Sequence, residues 1–288
     1  MGTTDSQTTA TADAVNQQVR LVFERMNRQI DRVAKDRKPE NVHRFRTNSR
    51  RVEVLVDQLS AENGNKRKLL NRLSKLRRKA GKVRDLDVQI AFLKELKVPD
   101  RQGHRAQLLD ALAKDQERRS KRLANIFDGE EVRKLRKRLR KAQEETNLKG
   151  IDPLKLAFNH LPKPGNEPLT EKVLHGCRIS AKHARYLAEL DAESPTAKRF
   201  VEELKKAQDE IGHWHDGLKL TERAEKLFGS VRQSSLVSAL QNISRARFRR
   251  ASSALQTALR TVSELEQQHR PSPESRPQPA LASMRVAA

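Results

Sequence analysis

The 288-residue chain contains a single cysteine, Cys177, and few aromatic residues, which make up 3% of the sequence. One cysteine cannot form an intramolecular disulfide, which is typical of an intracellular protein. The scarcity of aromatic rings argues against a protein that binds single-stranded nucleic acid by stacking bases on them. No apolar run approaches the length of a membrane span, and residues 1–16 lack the basic and apolar regions of a signal peptide. We therefore expect a cytoplasmic protein.

Sequence patterns of the common catalytic and metal sites are also missing. There is no zinc-ligand spacing, glycine-rich phosphate loop or cluster of carboxylates. On a helix, Cys177 and His175 would face different ways and make a poor nucleophile–base pair, and His213 and His215 would fail as metal ligands for the same reason. We predict no catalytic residue, metal or cofactor, and expect that the protein is not an enzyme, although an enzyme of phosphate metabolism stays an alternative.

What the chain does have is positive charge, with 60 Lys and Arg against 37 Asp and Glu and a formal net charge of +23. Such an excess attracts polyanions. Nucleic acid, anionic membrane surfaces and inorganic polyphosphate are candidate partners. Residues 41–84 alone hold fourteen Lys and Arg against three Asp and Glu. Because like charges one helical turn apart repel each other, this concentration costs stability unless an anion neutralises it.

A cationic pattern occurs twice, in the same order. Each copy has a histidine followed by basic residues at helical spacing, and one helix later a glycine precedes an aspartate by four residues. The basic residues of the two copies are His43, Arg46, Arg50 and Arg51, and then His175, Arg178, Lys182 and Arg185. The repeat predicts a duplicated unit whose two halves bring basic faces to one shared site, and the arginines suit phosphate oxygens.

A lysine-rich stripe runs along the helix that follows the first copy, one residue out of step with the leucine stripe of that helix. The stripe consists of Lys68, Arg72, Lys75, Lys79 and Lys82, with Arg84 close behind. This spacing puts a cationic ridge beside the ridge that faces the core, where a groove between helices would lie. Lys and Arg stripes are also common on solvated helix faces, and that alternative stays open.

Other residues of the two copies have more than one interpretation. Asp85 and Asp216 would orient the arginines through hydrogen bonds, or serve as helix N-caps or in ordinary ion pairs. The two histidines would donate hydrogen bonds to an anion, or have a packing or capping role. Gly81 and Gly212 would allow a close approach or mark a helix break. We count Tyr186, at the end of the second copy, with the two aspartates as supporting residues.

Apolar residues at intervals of three and four predict helices throughout, and we find no convincing alternating pattern of a strand. The predicted fold is all-α, with two pseudo-twofold-related bundles of about four helices each. Residues 13–149 would form the first half and 169–267 the second. Residues 150–168 would link them, with a short helix around 154–158. The composition of residues 1–12 and 268–288 predicts disordered tails.

The two copies strongly resemble the conserved histidine α-helical domain, CHAD. The resemblance rests on His43–Arg51, on Arg84-Asp85-Leu86-Asp87 and on 175–186, and the similar region covers residues 13–267. It implies two four-helix bundles around a central basic channel that binds inorganic polyphosphate, and a role as a binding module often associated with polyphosphate granules. The second copy departs from the pattern with His215-Asp216 in place of Arg84-Asp85 and Lys182-His183 in place of Arg50-Arg51.

The sequence therefore predicts a non-catalytic polyphosphate-binding module, located in the cytoplasm and at polyphosphate granules, with no insertion into a membrane. Polyphosphate carries dense charge and no bases, so dense Lys and Arg without aromatic platforms suit it. A basic helical protein that binds nucleic acid is the alternative.

Overall fold

The computed structural model describes residues 3–98, 100, 102–148, 150–162 and 169–269, with side chains from residue 13 onward. Over these residues the structure is helical, with one isolated bridge between Ser60 and Thr146 and no longer strand pairing. The described helices are α1 Thr3–Lys35, α2 Pro39–Leu59, α3 Gly64–Glu95, α4 His104–Ala124, α5 Gly129–Glu144, α6 Pro153–Asn159, α7 Glu171–Ala188, α8 Pro195–Phe228 and α9 Ser235–His269. The predicted all-α class is confirmed.

Short polar side chains set several of the helix starts that position the site. The side chain of Asn63 accepts a hydrogen bond from the backbone N–H of Lys66 at the start of α3. The side chains of Thr170 and Ser194 cap α7 and α8 in the same way. These caps satisfy N–H groups that have no partner within the helix. They therefore fix where α3, α7 and α8 begin.

The core of the first half is built mainly from α1, α2, α3 and α5, and Leu123 of α4 and Leu190, which follows α7, also belong to it. Phe23, Met26 and Ile30 of α1, Phe45 of α2 and Leu73 of α3 are fully buried in it. The apolar residues recur at helical spacing, so each helix buries one stripe and leaves its other faces free. Those free faces carry the positive charge.

The two halves also share cores. Leu86 of α3 and Leu112 of α4 belong to one cluster with Leu220 of α8 and Leu240 of α9. Val54 of α2 belongs to a further cluster with residues of α6 to α9. Consequently α4 buries Leu108 and Leu112 in a core that is shared with the second half, and Leu123 in the core of the first half. The division into two four-helix bundles stays a prediction.

Some predicted boundaries differ from the observed helices. The helix α1 already begins at Thr3, inside the predicted N-terminal tail, since the sequence from there to Lys35 contains no glycine or proline to end a helix. The helix α6 lies where a short helix was expected in the linker. Residues 163–168 of the linker and 270–288 of the C-terminal tail lie outside the described residues. None of the described helices is both long and apolar enough to span a membrane.

Candidate functional site

A cavity of about 340 Å³ lies where α2 and α3 of the first half meet α7 and α8 of the second. Both copies of the repeated pattern contribute to its wall. The lining residues are His43, Arg46, Thr47, Arg50, Arg84, Asp85, Val88, His175, Arg178, Lys182, Tyr186, His215 and Asp216. Below, this is called the central cavity. Ten of the predicted site residues therefore meet at one place, among them both histidines of the pattern.

The central arginines of the two copies have matching surroundings. A methyl group placed on Gly81 would lie 3.5 Å from an Nη of Arg46, and one placed on Gly212 would lie 3.9 Å from an Nη of Arg178. Both glycines lie inside long helices, so they do not mark a helix break. Of the two interpretations, the structure supports close approach, because each glycine leaves room for one guanidinium group.

The two aspartates stand beside these arginines and not at a helix start. Asp85 lies inside α3 and pairs with Arg46, with 3.3 Å between its Oδ1 and Nη1 of the arginine. Asp216 lies inside α8, where burial raises the pKa of its carboxyl although Arg178 acts in the opposite direction. The N-cap interpretation is thus wrong. The carboxylate of Asp85 helps to hold Arg46 in place.

The cations of the central cavity outnumber its carboxylates. Within the described part of the chain, no carboxylate oxygen lies within 4 Å of the charged nitrogens of Arg50, Arg84, Arg178 or Lys182. The Nε atoms of Arg46 and Arg178 are buried and have no hydrogen-bond partner there. Buried donors without partners are costly. The arrangement favours an incoming anion that accepts several hydrogen bonds.

The crowding of positive charge in the central cavity is clearest at Lys182. Burial, and then the charges of Arg178, Arg50 and Arg46, lower the pKa of its ammonium group from 10.5 to about 6. Both causes disfavour the charged form of the lysine. At neutral pH the amine is therefore largely neutral until an anion enters. The protonation state of the cavity thus depends on its occupant.

The histidines of the cavity are also held in the neutral form. Partial desolvation at the cavity wall, followed by the charge of Arg84, lowers the pKa of His43, and partial desolvation, followed by the charge of Arg178, lowers that of His175. His215 lies 5.1 Å from His175 between ring centroids, and burial with the nearby Arg178 lowers its pKa to about 4. His43 and His175 are exposed at the cavity, and the N-caps of their helices are Lys38 and Thr170. This excludes the packing and capping roles that the sequence left open.

Two predicted binding residues, Arg51 and Arg185, do not line the cavity. The Nε of Arg51 donates a hydrogen bond of 2.8 Å to Glu189, and the Nε of Arg185 lies 3.5 Å from the same carboxylate. Each guanidinium carbon lies 5.2 Å from the centroid of the Tyr186 ring. We call these four residues the α2–α7 clamp. They connect α2 and α7 next to the central cavity, and Tyr186 also forms part of the cavity wall.

The lysine-rich stripe of α3 also lies outside the central cavity. Lys82 lines an adjoining cavity of about 280 Å³ that shares Asp85, His215 and Asp216 with the central one. Lys75 and Lys79 are exposed. Arg72 forms two hydrogen bonds with Glu131 of α5, and Lys68 lines a separate cavity near the start of α3.

Three lining residues were not among the predicted site residues. His215 occupies the position in the second copy that corresponds to Arg84 in the first, so an alignment of the two copies identifies it. Thr47 and Val88 carry no charge and no repeated spacing, and only the packing of the helices brings them to the cavity. No group of three or more potential metal ligands occurs among the residues that the structure describes. Cys177 is buried, and burial raises the pKa of its thiol.

Comparison with known proteins gives a consistent result. A family model described as the CHAD domain matches residues 17–225. The crystal structure of the CHAD domain from the plant Ricinus communis is similar to this structure with a TM-score of 0.60 and 16% sequence identity, covering 87% of this chain and 91% of that one. PptA from Streptomyces chartreusis gives a TM-score of 0.61 and 15% identity, covering 88% of this chain and 99% of its own. No curated protein sequence matches the chain.

Proposed function

The chain belongs to the CHAD domain family, and on this premise we propose that it is a non-catalytic module that binds inorganic polyphosphate in the central cavity. We place it in the cytoplasm and at polyphosphate granules. The cavity would be part of a basic channel between the halves, continued by the adjoining cavity beyond Asp85 and His215. The chemistry of the lining residues and the implied ligand of the family both support polyphosphate as the ligand.

One observation carries the proposal, namely the convergence of unpaired cations from both halves on one small space. Arg50 and Arg84 come from the first half, and Arg178 and Lys182 from the second. A chain of phosphate groups offers acceptor oxygens in every direction, so it can satisfy guanidinium groups on opposite walls at once. Its charge would also offset the repulsion that lowers the pKa of Lys182.

The size of the cavity favours a thin polyanion over duplex nucleic acid. A volume of about 340 Å³ admits a few phosphate groups, whereas a helix that reads a duplex must enter a major groove about 12 Å wide. Apart from its three histidines, the wall has one aromatic ring, that of Tyr186, and two guanidinium carbons already lie 5.2 Å from the centroid of this ring, where they compete with a base for stacking. These features support polyphosphate over the nucleic-acid alternative.

The first experiment is a competition between long-chain polyphosphate and duplex DNA at equal phosphate concentration and moderate salt. We expect a strong preference for polyphosphate that is lost in the double variant Arg46→Ala/Arg178→Ala. The matched control is Arg20→Ala/Arg199→Ala, which removes one exposed arginine from each half; neither arginine lines the cavity or forms an ion pair with another described residue. The control variant should bind nearly as well as the wild type. Equal or better binding of DNA would favour the nucleic-acid hypothesis. Unchanged binding of polyphosphate in the Arg46/Arg178 variant would refute the assigned site.

The non-catalytic part of the proposal has its own assay. Purified protein is incubated with polyphosphate, with and without Mg²⁺, and released phosphate is measured over time. We expect no release above that of a heat-denatured sample. Release that depends on residues of the central cavity would show an enzyme.

A further inference from the structure

We propose that a second basic cavity, between the start of α3 and α5, binds the outlying part of a long polyphosphate chain whose other part occupies the central cavity. The inference rests on the proposed function, because it takes the same ligand. It adds a second contact region and predicts that affinity depends on chain length. We call this region the α3–α5 cavity.

The α3–α5 cavity has a volume of about 610 Å³, larger than the central one. Its wall carries five basic side chains and one acidic side chain, Glu145. The basic residues are Lys68 of α3 and Lys134, Lys137, Arg138 and Lys141 of α5. Asn63, Gly64 and Asn65 at the start of α3 complete the wall, and the amide groups there add to the positive potential.

Internal partners satisfy only part of this charge. Lys134 pairs with Glu130, and the Nζ of Lys141 lies 3.7 Å from Glu145. Asn65 holds the same glutamate by donating a hydrogen bond of 3.3 Å to its other oxygen. In the part of the chain that the structure describes, no carboxylate lies within ion-pair distance of Lys68, Lys137 or Arg138.

The spacing of the cations on α5 makes their grouping costly without a ligand. Lys134, Lys137, Arg138 and Lys141 each lie three residues from one other member of this group and four residues from another. Side chains at these intervals lie on one helix face, where like charges repel. An anion that contacts two or more of these side chains would remove the repulsion.

A cationic face of α3, interrupted where Arg72 pairs with Glu131, runs between the two cavities. Lys68 lines the α3–α5 cavity, while Lys75 and Lys79 are exposed and lie in line with it at helical spacing. Lys82, on the same face, lines the adjoining cavity that shares three residues with the central one. From Lys68 to Lys82 the helix rises about 21 Å. An extended polyphosphate chain can follow this face, whereas tripolyphosphate is too short to reach both ends.

A ligand that occupies two connected regions gains affinity through effective concentration, since the second contact becomes intramolecular. Loss of the α3–α5 cavity should therefore weaken the binding of long chains and leave that of short chains nearly unchanged. Loss of charge at an unrelated place on the surface should have a small and equal effect on both.

The test compares tripolyphosphate with long-chain polyphosphate in the variant Lys68→Ala/Lys137→Ala. Both lysines are exposed and have no described ion pair, so the fold should persist, and thermal unfolding verifies it. The matched control is Lys198→Ala/Lys205→Ala, two exposed lysines of α8 that line none of the cavities described above. We expect the affinity for the long chain to fall about tenfold or more, with less than about a twofold change for tripolyphosphate and for the control with either ligand.

Each outcome has a definite meaning. A long-chain affinity equal to that of the control would overturn the α3–α5 cavity as a binding region, and so would an equal loss for both ligands. The variant Arg46→Ala/Arg178→Ala, measured in parallel, separates this result from a failure of the proposed function. If that variant binds tripolyphosphate like the wild type, the central site is wrong, whatever Lys68→Ala/Lys137→Ala shows.

Discussion

At the scale of single residues, Lys182 links binding to protons. Its ammonium group has a pKa of about 6 in the free protein because of burial and four neighbouring arginines. A bound polyanion favours the charged form and raises this pKa. Between the two values the free protein carries fewer protons than the complex, so binding takes up a proton and affinity falls as the pH rises above about 6.

This prediction can be measured at pH 7.5 by calorimetry in buffers with different ionisation enthalpies. The wild type should take up close to one proton per site, with a smaller contribution from His43, His175 and His215, whose pKa values are also lowered. Lys182→Met, which keeps the length of the side chain but cannot ionise, should lose most of the uptake. The same proton uptake in Lys182→Met and in the wild type would refute the assignment.

The glycines beside the arginines give a second prediction at this scale. Gly81→Ala should stabilise α3 by about 0.5–1 kcal/mol, since alanine is the better helix former and its methyl group would make an ordinary contact with Arg46. Binding should persist. Gly81→Leu should instead displace the guanidinium group and weaken binding several-fold while the protein remains folded. Unfolding in urea and polyphosphate titration measure the two effects, and equal affinity in the alanine and leucine variants would contradict the role of the glycine.

At the scale of helices, the α2–α7 clamp holds the two motif helices together. Glu189 accepts from Arg51 of α2 and pairs with Arg185 of α7, and its side chain is 25% exposed. Glu189→Ala would leave two arginines without their carboxylate, so we expect a loss of about 1–3 kcal/mol in the free energy of unfolding.

The control for Glu189→Ala is Glu202→Ala, which removes an exposed partner of Lys206 on α8. A surface pair of this kind should contribute under about 0.5 kcal/mol. Urea unfolding of both variants gives the comparison. Similar losses in the two would show that the clamp is no stronger than an ordinary surface ion pair.

Helical spacing also explains how far the site could be predicted from the sequence. His43, Arg46 and Arg50 share a face at intervals of three and four, and that face does line the cavity. Spacing alone does not tell which neighbouring helix a face meets. Arg72 pairs with a carboxylate of α5, and Arg51 pairs with a carboxylate at the end of α7. These partners are far away in sequence, and only the packing of the helices brings them together.

For the fold, too, the sequence predicts the helices but not which helices pack together. The helical character of the chain follows from apolar periodicity, and the predicted end of the second half at residue 267 lies two residues before the end of α9 at His269. The packing partners of α4 cannot be predicted in this way, because Leu108 and Leu112 fit any apolar face of suitable shape. In the structure they belong to a core shared with α8 and α9.

At the scale of the whole molecule, repulsion among the positive charges destabilises the unbound protein. Tripolyphosphate at about 100 times its dissociation constant should raise the free energy of unfolding by about 2.7 kcal/mol. Sodium chloride at the same ionic strength should have a much smaller effect, because it screens charge without filling the cavity. Thermal unfolding measures both additions. In Arg46→Ala/Arg178→Ala the tripolyphosphate effect should shrink to that of the salt, and a full effect there would place the ligand elsewhere.

The paired surroundings of Arg46 and Arg178 bear on the ancestry of the molecule. Each half supplies a histidine, an arginine, a glycine that makes room for it and an aspartate beside it. Two identical copies of a half-length chain, related by a twofold axis, can supply the same set. Fusion of such a dimer into one chain allows the two halves to differ in sequence. The second half has His215 where the first half has Arg84, and a symmetric dimer of identical chains could not acquire such a difference.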